Sequence, residues 1–358
     1  MAVNQTAYGF VGLEQVFNQR VAEYGAQLVW DAVAKSAEYW NTMVTALMSD
    51  MVVVTTDRLF RHYLGDEGEM EPLGPFGHPA PALVEAYYDV ELPIQRSGTA
   101  WGANREANAK MTVGEVNRHT LAMFKKDAKW IRRHIWAALF TNTNQVYHDH
   151  DTNIGDLSIK PLANADGVMY NQRGGTTVDD THHIAQANAI DDDNNAIQTM
   201  RADLIEHPTN EGEVVVYCST ALGSTIEDLS NFVPVSDPEL DYGDSVTTVK
   251  SAKLAAVKGF GDEVLGRTDK CWIVEWMALP AAIMFAKILG RPVLGMREHP
   301  EAELRGLQVN TYDDRGLTTV EAIRRAGFGV IDRIGAVVME IGDGTYTIPT
   351  NYTAPLVV

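Results

Sequence analysis

Apolar and polar positions alternate almost without a break from Val84 to Gln95. Val84, Ala86, Tyr88, Val90, Leu92 and Ile94 fall on one side of an extended chain, and Glu85, Tyr87, Asp89, Glu91 and Gln95 on the other. Period-two alternation predicts a half-buried strand, and eleven extended residues would reach roughly 36 Å. Pro72, Pro75, Pro79 and Pro81 stiffen the approach to it. Across residues 57–110 no helical pattern persists, and turn-rich GDEGEMEPLGPFGHPAPA and RSGTAWGANREANAK flank the strand. So long a stretch without compact-core patterning, yet with clean alternation, predicts a strand-built arm projecting from the body. Its apolar side then needs a covering surface.

The period changes at Thr112. Thr112 and Glu115 have capping-box spacing, and Val116, Thr120, Phe124, Ala128, Ile131, Ile135 and Leu139 form one continuous helical face. The pattern holds to about Thr143, a rod of about 45 Å. The other face carries Arg118, Lys125, Lys129, Arg132 and Arg133. Such a stripe reads equally as a solvated helix face or as a surface turned toward a polyanion.

Elsewhere strands and helices mix without regular alternation. Residues 12–50 read as mostly helical, and MVVVTT as a strand. Residues 144–180 read as loops and short strands, and 181–206 as helical with a break at DDDNN. EVVVYC, KCWIVEWM, PVLGMRE, LQVNTYDD and GAVVMEI read as strands. Helices are predicted at STIEDLSNF with Ser224 as cap, at ALPAAIMFAKIL with Pro280 in the first turn, and at VEAIRRAG. The class is α+β.

Composition narrows the function. The chain has 358 residues and a formal net charge of −19 at pH 7. That balance argues against a general nucleic-acid binder, though not against a protein that encloses nucleic acid without gripping it. Cys218 and Cys271 sit in apolar runs and read as reduced core thiols. No run of eighteen apolar residues occurs, and MAVNQTAYGF has no signal-peptide pattern, so cytoplasmic synthesis without secretion is expected. HDHD at 148–151 is the sharpest metal-like cluster. His148 and His150 would share a strand face, and His182 and His183 offer further ligands; a solvated polar loop is the plainer reading. GxGxxG, GxxxxGK[ST] and GxSxG are all absent, and no catalytic constellation or cofactor motif emerges.

An extended arm, a very long helix directly after it and an α+β body with a terminal strand occur in that order. The arrangement resembles the major capsid protein of tailed bacteriophages, a fold shared with encapsulin shells and the herpesvirus capsid floor. AKMTVGEVNRHTLAMFKKDAKWIRRHIWAALFTNT looks like the run into and along the spine helix. WIVEWMALPAAIMFAKILGRPVLGMRE looks like an axial-domain strand, helix and strand, and GFGVIDRIGAVVMEIG like the return strand. The resemblance implies an N-terminal arm over residues 1–56 and an extended β loop over 57–110. It further implies a peripheral domain with the spine helix over 111–165, an axial domain of mixed sheet and helices over 166–328, and a return to the peripheral domain over 329–358.

It also implies a structural protein, not an enzyme, with no cofactor. Such a chain self-assembles into pentamers and hexamers of an icosahedral head around double-stranded DNA, which it holds without sequence specificity. In that setting Val84, Ala86, Tyr88, Val90, Leu92 and Ile94 would dock on a neighbouring subunit. Arg118, Lys125, Lys129, Arg132 and Arg133 would face the DNA. Partners would be copies of the chain itself and portal, scaffold or decoration proteins, with no membrane. The location would be the virion capsid after synthesis in the host cytoplasm. The rival within the fold is an encapsulin-type compartment shell; the rival outside it is a metal-dependent enzyme using His148, His150, His182 and His183.

Overall fold

The capping box expected at Thr112 forms. In the computed structural model of the chain, Thr112 Oγ1 accepts the Glu115 amide at 3.3 Å, and the Glu115 carboxylate accepts the Thr112 amide at 2.9 Å. The helix it opens runs from Val113 to Phe140. The structure describes residues 16–48, 50–64, 73, 75, 77–78, 87–149, 151–152, 154–236, 250–259, 261–314 and 317–352. Val84, Ala86 and His150 lie outside the described residues.

The helices are α1 (Val21–Tyr24), α2 (Ala26–Met48), α3 (Arg105–Lys110), α4 (Val113–Phe140), α5 (Ala196–Ile205), α6 (Thr220–Glu227) and α7 (Lys250–Lys258). The strands are β1 (Val52–Thr55), β2 (Leu59–Tyr63), β3 (Tyr87–Glu91), β4 (Gln95–Asn104), β5 (Gln145–Asp149) and β6 (Gly155–Ile159). They continue with β7 (Asn164–Asn171), β8 (Thr177–Thr181), β9 (His183–Gln186), β10 (Val214–Cys218), β11 (Val233–Pro234) and β12 (Glu263–Thr268). The last are β13 (Cys271–Glu275), β14 (Ile283–Ile288), β15 (Leu294–Glu298), β16 (Leu307–Asp314), β17 (Leu317–Val330) and β18 (Ala336–Ile341). Among the described residues no helix is long and apolar enough to cross a membrane.

Two sheets organise the body. One runs β1-β15-β17-β16, with β4 also paired to β17; the other runs β11-β12-β13-β10-β14-β18-β9. Helices α2 and α4 pack on the first sheet through β16 and β17, and α5 packs on the second through β14 and β18. The apolar face of α4 is buried as the periodicity predicts, at Val116, Thr120, Phe124, Ile131, Ile135 and Leu139. From His134 to Phe140 the helix is buried on every side. There Trp136 stacks on Phe140 and meets Trp276 and Phe285, joining helix and second sheet in one core.

Three expectations fail here. The predicted helix ALPAAIMFAKIL is in fact β14, lodged between β10 and β18 and buried at all six positions. A short wholly apolar run does not distinguish a buried strand from a buried helix by period alone. VEAIRRAG lies within β17, paired with β16 on one side and β4 on the other; cross-strand pairing overrides its helical propensity. In the span 181–206, residues 183–186 form β9 and the helix begins only at Ala196, capped by the Asn195 side chain. Helix α6 also begins earlier than expected, with Ser219 as its N-cap.

Sheet membership does not follow chain order. β15, β16 and β17, placed by sequence in the axial span 166–328, share the first sheet with β1 and β4 beside the long helix. β18, expected to return to the peripheral domain, lies inside the second sheet. Five of its six residues are buried; β14 and β9 pair its edges, and its two faces lie in the two apolar clusters on either side of the sheet.

Candidate functional site

The alternating stretch begins as the described stem of the expected arm. β3 pairs antiparallel with β2, with Tyr88 opposite His62 and Val90 opposite Phe60. Leu92, Pro93 and Ile94 then cross to β4, which pairs with β17 from Gln95 opposite Ala326 to Asn104 opposite Leu317. Tyr88, Val90, Leu92 and Ile94 are 7%, 0%, 0% and 1% exposed. Tyr88 and Val90 cluster with Ala163 and Tyr170. Leu92 fills space left by two glycines: a Cβ on Gly329 would stand 2.6 Å from its Cδ2, and one on Gly295 2.8 Å from its Cδ1. The expectation that these four side chains dock on a neighbouring subunit is therefore corrected, because their own chain covers them. Alternation reports that one side is buried and is silent on which chain buries it.

A buried ion pair fixes the crossing. Arg297 Nη1 donates to Asp149 Oδ2 at 2.8 Å and to the Leu92 carbonyl at 2.9 Å, and Asp149 Oδ2 also accepts the Ile94 amide at 3.2 Å. Both side chains are almost wholly buried. Burial alone would raise the Asp149 carboxyl. Hydrogen bonds from Thr152 and Ile94 and the Arg297 charge outweigh it and hold the carboxyl below its usual range. The central aspartate of HDHD thus serves the fold.

A second buried pair joins the helices to the sheet. Arg324 of β17 grips Asp127 of α4 at 2.6 and 2.8 Å, and Trp40 Nε1 of α2 donates to Asp127 at 2.8 Å. The sequence reading anticipates neither pair. The signal for the second was present: Asp127 is a carboxylate on the apolar face of an amphipathic helix, between Phe124 and Ile131.

The basic stripe is where the period puts it. Arg118, Lys125, Lys129, Arg132 and Arg133 are all exposed on α4, the first four within about 60° of arc. Arg118 lies 3.8 Å from Glu115, and Arg133 Nε donates to the Asn351 carbonyl at 3.2 Å.

The histidines named from the sequence take separate partners. His148 is exposed on the β5–β6 hairpin, 2.7 Å from Asp156. His183 donates through Nε2 to the Leu139 carbonyl at 3.0 Å, and Tyr346 donates to the Phe140 carbonyl at 2.7 Å. These two satisfy carbonyls at the end of α4 that have no partner in the helix. Burial pushes His183 down to about 4, so the ring is neutral at pH 7. His182 faces a different space, shared with Asp180 and with His207, a residue that no sequence pattern singles out. Nearby, burial and the charges of Glu206 and Asp180 push Asp203 up to about 6. Cys218 and Cys271 are buried, and burial pushes both thiols up to about 12, so they are unreactive.

No protein-family model matches the chain, and no curated protein matches it. Solved structures do. The structure of Mycobacterium phage Patience matches with a TM-score of 0.69 at 18% identity, over 99% of this chain and 99% of that one. The capsid structure of the cyanophage P-SCSP1u matches with a TM-score of 0.50 at 10% identity, over 82% of this chain and 86% of that one. A long buried-and-basic helix following a strand stem, two sheets joined in one core, and agreement with a phage structure along nearly the whole chain identify the architecture. The protein has the fold of the tailed-phage major capsid proteins.

Proposed function

We propose that this chain is the shell-forming subunit of a phage head, assembling as pentamers and hexamers of an icosahedral shell around double-stranded DNA. The observation that carries the reading is the agreement with the phage Patience structure over 99% of both chains. A domain-sized fragment of some other architecture would not give such coverage. In this reading the peripheral domain is α2, α4 and the first sheet, and the axial domain is the second sheet with α5 and α6. The extended loop is the β2–β3 stem with the residues between its strands.

The surface chemistry fits that role. A net charge of −19 keeps the shell from adhering generally to packed DNA, while the α4 stripe offers a local cationic face. The outer side of the β2–β3 stem carries Tyr63 and Tyr87, 69% and 50% exposed, and Arg61 paired with Asp89 at 2.7 Å. This stem face, not the buried side of β3, is the part of the described loop left for a neighbouring subunit. Portal, scaffold or decoration proteins would complete the particle, made in the host cytoplasm and located in the virion.

Electron microscopy of the purified chain tests the proposal. Closed shells or five- and six-fold rings are expected, with nuclease-protected double-stranded DNA in particles recovered from infected cells. A chain that stays monomeric at high concentration and at every salt tried would refute it. Shells filled with a protein cargo and free of DNA would transfer the reading to an encapsulin-type compartment.

A further inference from the structure

Beside the junction of β8 and β9, two buried imidazoles point at each other. His182 Nε2 and His207 Nε2 are 3.0 Å apart, and Asp180 Oδ2 is 3.1 Å from each. Neither histidine is exposed. Their other ring nitrogens determine the tautomers. His182 Nδ1 lies 2.7 Å from the Ala336 carbonyl, and His207 Nδ1 lies 3.0 Å from the Asn171 carbonyl. A carbonyl only accepts, so each Nδ1 carries a hydrogen and each neutral ring turns its Nε2 lone pair into the shared space. Two lone pairs and a carboxylate oxygen then converge on one point, an arrangement that repels itself unless a positive charge sits among them. An Nδ1–H held by a backbone carbonyl, with Nε2 free, is how proteins orient histidine toward a metal.

The distances accommodate one. A cation about 1 Å off the plane of the three atoms would stand roughly 2 Å from all of them, the length of a zinc bond to histidine nitrogen or carboxylate oxygen. Two imidazoles and one carboxylate suit a borderline divalent transition metal over calcium or magnesium, which favour all-oxygen shells. Glu206 Oε1 lies 3.9 Å from His207 Nε2, within reach of a fourth position. We propose that Asp180, His182 and His207 bind one divalent transition-metal ion of the zinc class, with Glu206 or water completing the shell.

The ligands come from two pieces of chain, the β8–β9 junction and the segment after α5. Asp180 lies in β8 of the β7–β8 hairpin, His182 precedes the edge strand β9, and His207 follows α5. An ion here would staple the hairpin and the segment after α5 to the edge of the second sheet, and its binding would add to the stability of the fold.

Metal binding to the intact chain tests this without reference to assembly. The wild-type protein is stripped with chelator and titrated with Co²⁺, then with Zn²⁺. A visible Co²⁺ absorption saturating at one ion per chain, displaced by Zn²⁺, is expected. Re-addition of Zn²⁺ should raise the melting temperature lowered by chelator. His207→Gln and Asp180→Asn should each weaken Co²⁺ binding more than about 10-fold, and His148→Ala, on an exposed hairpin, should leave it unchanged. Asp180 is partly exposed, so its variant reports even if His207→Gln fails to fold. A folded wild-type chain that shows no stoichiometric Co²⁺ spectrum and no response to chelator would overturn the proposal, leaving a proton as the bridging charge. Binding that survives both ligand variants would overturn it equally.

Discussion

The long helix α4 and the strand stretch 87–94 carry equally clean amphipathic patterns, and they differ in length and in what holds them. On α4 the apolar face is buried by α2 and β17 of the same chain, and the basic face is open. Along 87–94 the apolar side is also buried by the same chain, against Tyr170, Ala163 and the glycines of β15 and β17. A helix of twenty-eight residues is long enough to demand a core of its own. A strand of five is defined by its pairing partners, which lie far off in sequence at 59–63 and, through β4, at 317–326. Period reveals which face is buried in both cases, and in neither does it reveal what covers that face, because the covering elements lie elsewhere in the sequence.

The sharpest way to break the comparison is to charge the strand. Val90→Lys with Leu92→Lys removes two fully buried apolar side chains, each worth about 1.5–3 kcal/mol, and leaves two ammonium groups without water. Together these exceed what a marginally stable domain can lose. The isolated chain is expected to be insoluble or to lack a cooperative thermal transition by circular dichroism. If it instead stays folded and only fails to assemble, this strand faces a neighbour and the own-core account is wrong.

The Asp149–Arg297 pair should rank next. Arg297→Met leaves Asp149 buried without its partner, a loss of about 3–5 kcal/mol, and frees the Leu92 carbonyl as well. Adding Asp149→Asn should recover part of that stability. Equilibrium denaturation of the single and double variants measures the coupling; additive losses would show that the two side chains act independently.

Acid should act on both regions through the histidines at the end of α4. His134 and His183 are held neutral by burial, each pushed down to about 4 from the ordinary 6.5. The unfolded chain takes up protons near 6.5 and the folded chain does not until about 4. Stability is therefore full above that window and falls as pH drops through it, by up to about 1.4 kcal/mol per pH unit for each histidine. Melting temperatures across pH 7 to 4 should fall, and His183→Gln should flatten the fall. A profile independent of pH in this range would show that these rings are not buried in solution.

Much of the architecture was legible from order and period: the capped helix at Thr112, the strands VVVYC and CWIVE, and the α+β class. What was not legible shares one cause. IMFAKI and VEAIRRAG became strands because partners hundreds of residues apart in some pairings supplied their hydrogen bonds, as Ile323 pairs with Gly98. Sheet membership was hidden for the same reason, since β18 joins the second sheet through partners distant in the chain, β14 and β9. Among candidate sites, His182 was visible in the sequence. His207 was not, because nothing local in EHPTN marks a ring that the end of α5 turns toward His182.

The smallest effect on stability is expected at the basic stripe, and it separates the two readings of that face. Lys125→Gln, Lys129→Gln and Arg132→Gln change exposed side chains only, so each should shift stability within about 0.5 kcal/mol. If the face is merely solvated, assembled shells of the triple variant should match wild type in every respect. If it meets packaged DNA, shells should still form, but DNA retention should change with salt: the slope of log affinity against log salt should fall by about one for each phosphate that the variant no longer neutralises. The effect should be largest at low ionic strength, because screening at physiological salt confines exposed charges to about 8 Å. Shells that do not form at all would sink the DNA-facing reading and make the stripe a contact between subunits. The helix would then join the outer face of the β2–β3 stem as part of the assembly surface.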